Sequence, residues 1–366
     1  MVAKLSWQAG YSLQANRKTL KMAAALLLLV AYCGTVAWGA EPSPAAKTVA
    51  PELAFDPNCD LDAWQRELRG RLLSIMAVPT KWDPAVEWSS KPDSQTDDHT
   101  MERIEFLAEP GETVPGYLLK PKQAKRPLPV MICLQGHSPG MHISIGRGKT
   151  KREIESIRGG RDIALQAVRH GWAALVIEQR AFGERAVKRA ACQDVALRMM
   201  MRGQSLTGRR VFDVMRAVDF IATQPDLDGR RIGCMGNSTG GTVSFFAACT
   251  DRRIRLAVVS CSFCTYADSW MAVRHCACGY LPGILRVADM PDLAGLIAPR
   301  HLIIVAGKQD SLAKFSGVEE GYRLARRAFT AAGRPDQITL LAADGGHQFY
   351  PDLAWPKIMA VLDEWK

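Results

Sequence analysis

From residue 128 onward, continuous apolar runs alternate with amphipathic stretches, and this alternation leaves few architectures open to the chain. The runs "LPVMICLQG" (128–136), "WAALVIEQ" (172–179), "RRIGCMGNS" (230–238), "IRLAVVSC" (254–261), "HLIIVAGKQD" (301–310) and "ITLLAADGGH" (338–347) are short and bounded by glycine or polar residues. Between and after them, "DIALQAVRHG", "RRVFDVMRAVDFIATQ", "GGTVSFFAAC", "GVEEGYRLARRAFTAAG" and "LAWPKIMAVLDEW" read as helices. Strands that lack polar alternation are buried on both faces. Joined by helices, they make a mostly parallel sheet covered on both sides, so the expected fold class is α/β. Ahead of this core, "DLDAWQRELRGRLLSIM" (60–76) has helical periodicity with Asp60 as N-cap, and "ERIEFLAE" and "TVPGYLLKP" read as a strand pair.

The N-terminal 40 residues have a different character. Lys4, Arg17, Lys18 and Lys21 precede an uncharged run over 22–40, and "EPSPAAK" follows it. Residues 1–40 are expected to be a signal peptide, with an uncleaved membrane anchor as the alternative, because the run nearly matches the ~20 residues a membrane helix needs. Residues 41–59 read as a linker and 60–366 as the catalytic domain. Export to the periplasm or medium is the expected localisation, with a membrane contact only if the leader stays attached. The formal charge of +10 is partly carried by the leader and otherwise dispersed, except in "GRGKTKR", so nucleic acid is not an expected partner.

"GCMGNSTGG" (233–241) sets Ser238 in a Gly-x-Ser-x-Gly frame between an apolar strand and a small-residue helix. A sharp strand-to-helix turn needs glycine on both sides, and Gly236 and Gly240 stand there. The motif alone is weak; chain order strengthens it. Asp310 closes the next-to-last strand run and His347 follows the last, giving Ser, Asp, His in sequence. A serine hydroxyl needs a base, and a neutral imidazole serves near pH 7 when a carboxylate sets its tautomer. Ser238 is therefore the expected nucleophile, His347 the base and Asp310 the acid. Asp268 is the competing acid, with Glu178 and Asp344 behind it. The expected oxyanion donors are the backbone N–H groups of Thr239 and of His137 in "LQGHSPG". Gln135 departs from the histidine common before that glycine, which leaves the side-chain support of the loop open.

"LQGHSPG", "EQRAFGER", "GNSTGG", "HCACGYLPGILR", "DLAGLIAPRHLIIVAGKQD" and "GGHQF" together resemble the α/β-hydrolase superfamily, in its acetyl xylan esterase and dienelactone hydrolase-like branch, over roughly residues 60–366. The resemblance implies the α/β-hydrolase fold and a serine carboxyl-ester hydrolase without cofactor, acting on a small-molecule or carbohydrate ester. A dienelactone hydrolase-like or peptidase-like activity is the alternative; the dienelactone hydrolases proper use cysteine, and serine favours ordinary esters. The insertions 181–207 and 264–300 are too arginine-rich, or too broken by glycine and proline, to form an apolar lid, so short acyl groups are expected.

Other signals are set aside. "GRGKT" lacks the first glycine of a phosphate-binding loop, and the glycosylation sequon "NST" falls in the elbow itself. Of ten cysteines, Cys33 lies in the leader, and the odd remainder leaves at least one free thiol if all others pair within the chain. Cys261, Cys264, His275, Cys276 and Cys278 offer zinc-ligand chemistry, but their spacing matches no standard finger or ribbon, and no metal is expected there. Oligomeric state is not legible in the sequence.

Overall fold

The computed structural model describes residues 50–365; the expected leader lies outside them. The described residues form a nine-stranded sheet in the order β1-β2-β3-β5-β4-β6-β7-β8-β9. The strands are β1 (Trp88–Gln95), β2 (His99–Glu109), β3 (Glu112–Pro121), β4 (Leu128–Leu134), β5 (Ala173–Ile177), β6 (Leu227–Asn237), β7 (Ile254–Ser260), β8 (His301–Gly307) and β9 (Ile338–Ala343). β1 to β3 form an antiparallel meander that also pairs antiparallel with β5, and every pair from β5 to β9 is parallel. This is the expected α/β-hydrolase architecture.

The two-sided burial follows from strand periodicity. In β4, Val130, Ile132 and Leu134 enter one apolar cluster, whereas Met131 and Cys133 enter the other; in β8, Leu302 and Ile304 oppose Ile303 and Val305 in the same way. The larger cluster is closed by α1 (Leu61–Met76), α5 (Leu206–Ala222), α6 (Thr239–Thr250) and α9 (Phe315–Ala331), and the smaller by α3 (Ile163–Arg169) and α10 (Pro351–Glu364). Asp60 caps α1, accepting from the Ala63 N–H at 3.0 Å. Residues 52–55, within the segment read as linker, pack on this body: Glu52 and Leu53 donate N–H bonds to the Arg286 and Val287 carbonyls, and Phe55 meets Trp64 edge-on.

The insertions between strands carry short helices that the apolar pattern does not announce. α2 (Lys151–Ser156) begins where "GRGKT" ends, and Thr150 is its N-cap in a reciprocal pair with Glu153, so that motif makes a helix start. α4 (Cys192–Met200) lies in the first insertion, and α7 (Ile284–Val287) and α8 (Met290–Ala294) lie in the second. None of the described helices is long and apolar enough to cross a membrane.

β6, α6 and β4 approach so closely that side chains are excluded between them. A Cβ on Gly236 would lie 2.3 Å from the Gly240 carbonyl carbon, and one on Gly240 would lie 2.2 Å from the Leu134 oxygen. Gly240→Ala must push backbone against backbone and is expected to lower stability by about 1–3 kcal/mol. Gly229→Ala, whose Cβ meets nothing within 4 Å, is the control and should stay within about 0.5 kcal/mol of wild type in thermal denaturation.

Candidate active site

The turn permitted by those glycines holds Ser238 at φ 58°, ψ −127°, a conformation that side chains other than glycine rarely adopt. Several hydrogen bonds hold it there. Ser238 N–H donates to the Ser260 carbonyl at 2.8 Å, Thr242 N–H donates to the Ser238 carbonyl at 2.9 Å, and the Ser262 hydroxyl donates to the same carbonyl. Asn237 is buried and its amide donates to Ser260 Oγ at 3.0 Å, so the sequon asparagine faces the interior.

Asp310 follows β8 and His347 follows β9. His347 Nδ1 lies 2.8 Å from Asp310 Oδ2, and Leu312 N–H donates to Asp310 Oδ1 at 2.9 Å. Burial alone would raise the Asp310 carboxyl; the His347 hydrogen bond and the Leu312 N–H outweigh it and hold the group below its ordinary value. An ionised Asp310 accepting from Nδ1–H leaves Nε2 as the basic nitrogen, and Nε2 is buried with no hydrogen-bond partner among the described residues. The competing acids are engaged elsewhere. Asp268 accepts from Thr265 Oγ1 and faces Lys314, Asp344 pairs with Lys308, and Glu178, directly after β5, accepts from Gln135 and Met141 of the loop beyond β4.

Ser238 and His347 stand between two lobes of one cleft, of about 260 and 610 Å³, which also share His137 and Leu312. Thr239 lines the smaller lobe; as the first residue of α6 it carries one of the N–H groups that a helix leaves without an internal partner. The smaller lobe is walled by the second insertion through Trp270, Arg274, His275 and Gly279. The larger lobe is more polar, with Ser138, Thr150, Arg152 and Arg161. Arg161 donates to the His347 carbonyl at 3.1 Å and has no carboxylate partner among the described residues.

Sequence reasoning missed what holds the loop after β4. Gln135 Nε2 donates to Glu178 Oε1 at 2.8 Å, and Gln179 Nε2 donates to the Gln135 carbonyl at 2.7 Å. The fully buried Glu178 carboxyl also accepts from the Met141 and Glu184 N–H groups. Burial raises this carboxyl to about 7 against the lowering effect of those donors. A Cβ at Gly183 would fall 2.0 Å from Glu178 Oε2, which accounts for the glycine of "AFGER". The visible signal was an acid directly after a wholly apolar strand, in "WAALVIEQR".

The cysteines do not assemble as the sequence grouped them. Cys261 sits beside Asp310 and His347, Cys264 is buried with its sulfur toward the Lys314 carbonyl, and His275 stacks on Trp270 and meets Ser269. Cys276 and Cys278 instead join Cys192 of the first insertion and the His137 ring.

The fold and this geometry can be set beside known proteins. Residues 44–254 match the Abhydrolase family. The chain belongs to that family. Against the "Putative hydrolase YtaP" of Bacillus subtilis (strain 168), this abhydrolase is 25% identical over 242 residues, 64% of this chain and 78% of that protein. Among solved structures, a "putative acetyl xylan esterase" from Bacteroides fragilis NCTC 9343 superposes with TM-score 0.70 at 19% identity, covering 85% of this chain and 91% of the other. A glucuronoyl esterase from Solibacter usitatus superposes with TM-score 0.65 at 16% identity, covering 88% and 98%. At these identities the structures establish that the abhydrolase shares their fold.

Glu178→Ala removes the acceptor that ties Gln135 and Met141 together. In a folded variant, kcat for a generic ester is expected to drop about 10- to 100-fold, because loosening a positioned loop by about 1 Å suffices for such a loss. Steady-state kinetics showing an unchanged kcat would contradict the loop-holding role.

Proposed function

We propose that the protein is a serine carboxyl-ester hydrolase that removes short acyl groups, acetyl above all, from carbohydrate or other small alcohols through an acyl-enzyme. The observation that carries the reading is the His347–Asp310 pair at 2.8 Å, with a partnerless Nε2 in the cleft that holds Ser238 on its strained turn. His347 Nε2 takes the Ser238 proton as Oγ attacks the ester carbonyl, and Asp310 keeps the imidazole in the productive tautomer and balances its charge. The carbonyl oxygen becomes an oxyanion facing the N–H groups of Thr239 and His137. Collapse breaks the bond to the alkoxy oxygen, which leaves as the alcohol with the proton from Nε2. Water then adds to the acyl-enzyme by the same route and releases the carboxylic acid.

The unequal lobes support short acyl groups. The smaller lobe is closed by Trp270 and its neighbours and gives little room for a chain beyond a few carbons, whereas the larger polar lobe suits a hydroxyl-rich alcohol. The name of the "putative acetyl xylan esterase" among the similar folds agrees with this reading. Arg161, charged and without an acid partner, favours a second reading in which the ester is that of a sugar acid, as the name of the glucuronoyl esterase suggests for that protein.

Ser238→Ala is expected to lower kcat by about 10⁴-fold or more with the fold intact, since nucleophile and base act as one unit. His347→Ala should match it, and Asp310→Asn should approach it; a Ser238→Ala enzyme keeping a tenth of wild-type activity would reject the assignment. In a series of p-nitrophenyl esters, kcat/KM should fall from acetate to octanoate, whereas a steady rise would indicate a long-chain enzyme. Acetylated xylan and methyl glucuronate esters, compared directly, separate the two readings.

A further inference from the structure

Three segments distant in sequence bring four metal-ligand side chains to one point. His137 comes from the loop after β4, Cys192 from the first turn of α4, and Cys276 and Cys278 from either end of a short turn in the second insertion. One ligand atom of each lies within 4.8 Å of all the others. His137 Nε2 is 2.8 Å from Cys192 Sγ, and Cys192 Sγ is 3.3 Å from Cys276 Sγ. Tetrahedral zinc with ordinary Zn–S and Zn–N bonds sets its ligands about 3.5–3.8 Å apart, so small side-chain movements convert this arrangement into a closed site.

A second observation concerns charge. Arg210 is 1% exposed, yet it has no carboxylate partner among the described residues. Its Nε and Nη2 donate to the Arg180 carbonyl, its Nη1 meets no hydrogen-bond acceptor at good geometry among the described residues, and the Cys278 thiol is the nearby group its charge acts on. The guanidinium lies 4.2 Å over the Phe182 ring, which in turn meets the His137 ring edge-on at 5.1 Å. Buried charges are ordinarily paired, and an arginine keeps its proton. Zn²⁺ with three thiolates and a neutral imidazole carries one negative charge, which supplies the missing partner. Phe182, Ala196 and Leu206 pack around Cys192 and Cys278 and cover that side of the group, while Cys276 is half-buried and His137 exposed. The Thr207 hydroxyl donates to the Cys278 carbonyl at 2.8 Å and fixes the Cys-x-Cys backbone.

The geometry points to a structural zinc site formed by His137 Nε2 and the sulfurs of Cys192, Cys276 and Cys278. Three thiols release their protons to solvent as the metal binds, and no redox step is involved. The four protein ligands fill the tetrahedron, so the metal holds structure and activates no water. Its place in the fold gives it a further consequence. It ties the first insertion, and the second insertion that walls the smaller lobe, to the loop that carries His137 into the cleft. The metal site is independent of the ester reading; its effect on turnover rests on that reading.

The test uses the full chain. Purified with reductant and reconstituted with Zn²⁺, it is expected to hold one zinc per chain by elemental analysis. Replacement by Co²⁺ should give the thiolate charge-transfer and intense d–d absorption of a tetrahedral sulfur-rich site. Cys276→Ser and Cys278→Ser should each weaken zinc binding at least tenfold, whereas Cys59→Ser, far from the cluster, should retain it. Chelation of the wild-type enzyme should lower kcat with Ser238 still open to acylation by a fluorophosphonate, a readout that separates loss of the metal from failure of the esterase assignment. If a variant does not fold, the wild-type cobalt spectrum decides. Well under one zinc per chain after reconstitution, or an octahedral cobalt spectrum, overturns the site. So does a Cys192–Cys276 disulfide whose reduction restores no metal binding.

Discussion

The conformation of one residue governs how the rest of the site is assembled. Ser238 stands at positive φ, at a cost of about 1–3 kcal/mol that its surroundings must over-determine. They do so by close approach: no side chain is possible between β6, α6 and the end of β4, and the Ser238 backbone is tied to Ser260, Ser262 and Thr242. Because β4, β6 and β7 are neighbours in register, the same contact fixes where the loops after β4 and β7 begin. His347 and Asp310 are brought in by β9 and β8, further along the same sheet, and their mutual hydrogen bond sets the orientation of the imidazole in the cleft that Ser238 also lines.

Around this frame, buried charges mark the places where the chain departs from simple packing. The Glu178 carboxyl is enclosed with three donors, and Arg185 bonds the Glu178 carbonyl, so burial opposes hydrogen bonding and a nearby cation there. Arg300 has the opposite arrangement: its guanidinium donates to the carbonyls of Ala248, Asp251, Ile254 and Leu296, and burial lowers it to about 10. It joins the end of α6 to the start of β7 and to the segment before β8, which holds the back of the elbow helix. Arg161 differs from Arg300 in lining the cleft, and Arg210 in leaving Nη1 without a hydrogen-bond acceptor among the described residues.

The parallel strands and the order of Ser238, Asp310 and His347 were legible because burial and catalysis both leave local signatures: an apolar run, then a small or polar residue at its C-terminal end. β1 was not legible. "WSSKPDSQ" is exposed along its whole length, and pairing with β2, the contact of Trp88 with Phe220 and the Arg147–Asp93 ion pair place it. Asp310 and Asp268 both follow a strand, and chain order favoured Asp310; in the structure Asp310 meets His347, whereas Asp268 turns to Thr265 and Lys314. Gln135 was read as a missing histidine, whereas it is one half of a pair whose other half lies 43 residues away.

The cysteines show why such sites escape a linear reading. Sequence proximity grouped Cys261 and Cys264 with Cys276 and Cys278, but the turn after β7 sends the first pair toward Asp310 and Lys314 and the second toward α4. The ligand that completes the second group, His137, had been assigned a role through its backbone alone. Both roles are compatible, because the imidazole points toward Cys192 while the peptide N–H remains a separate donor. On the proposed reading, a residue used twice in this way couples the wall of the smaller lobe to the position of the loop after β4. Variation in the insertions then changes, on that reading, not only the shape of the cleft but how firmly that loop is held.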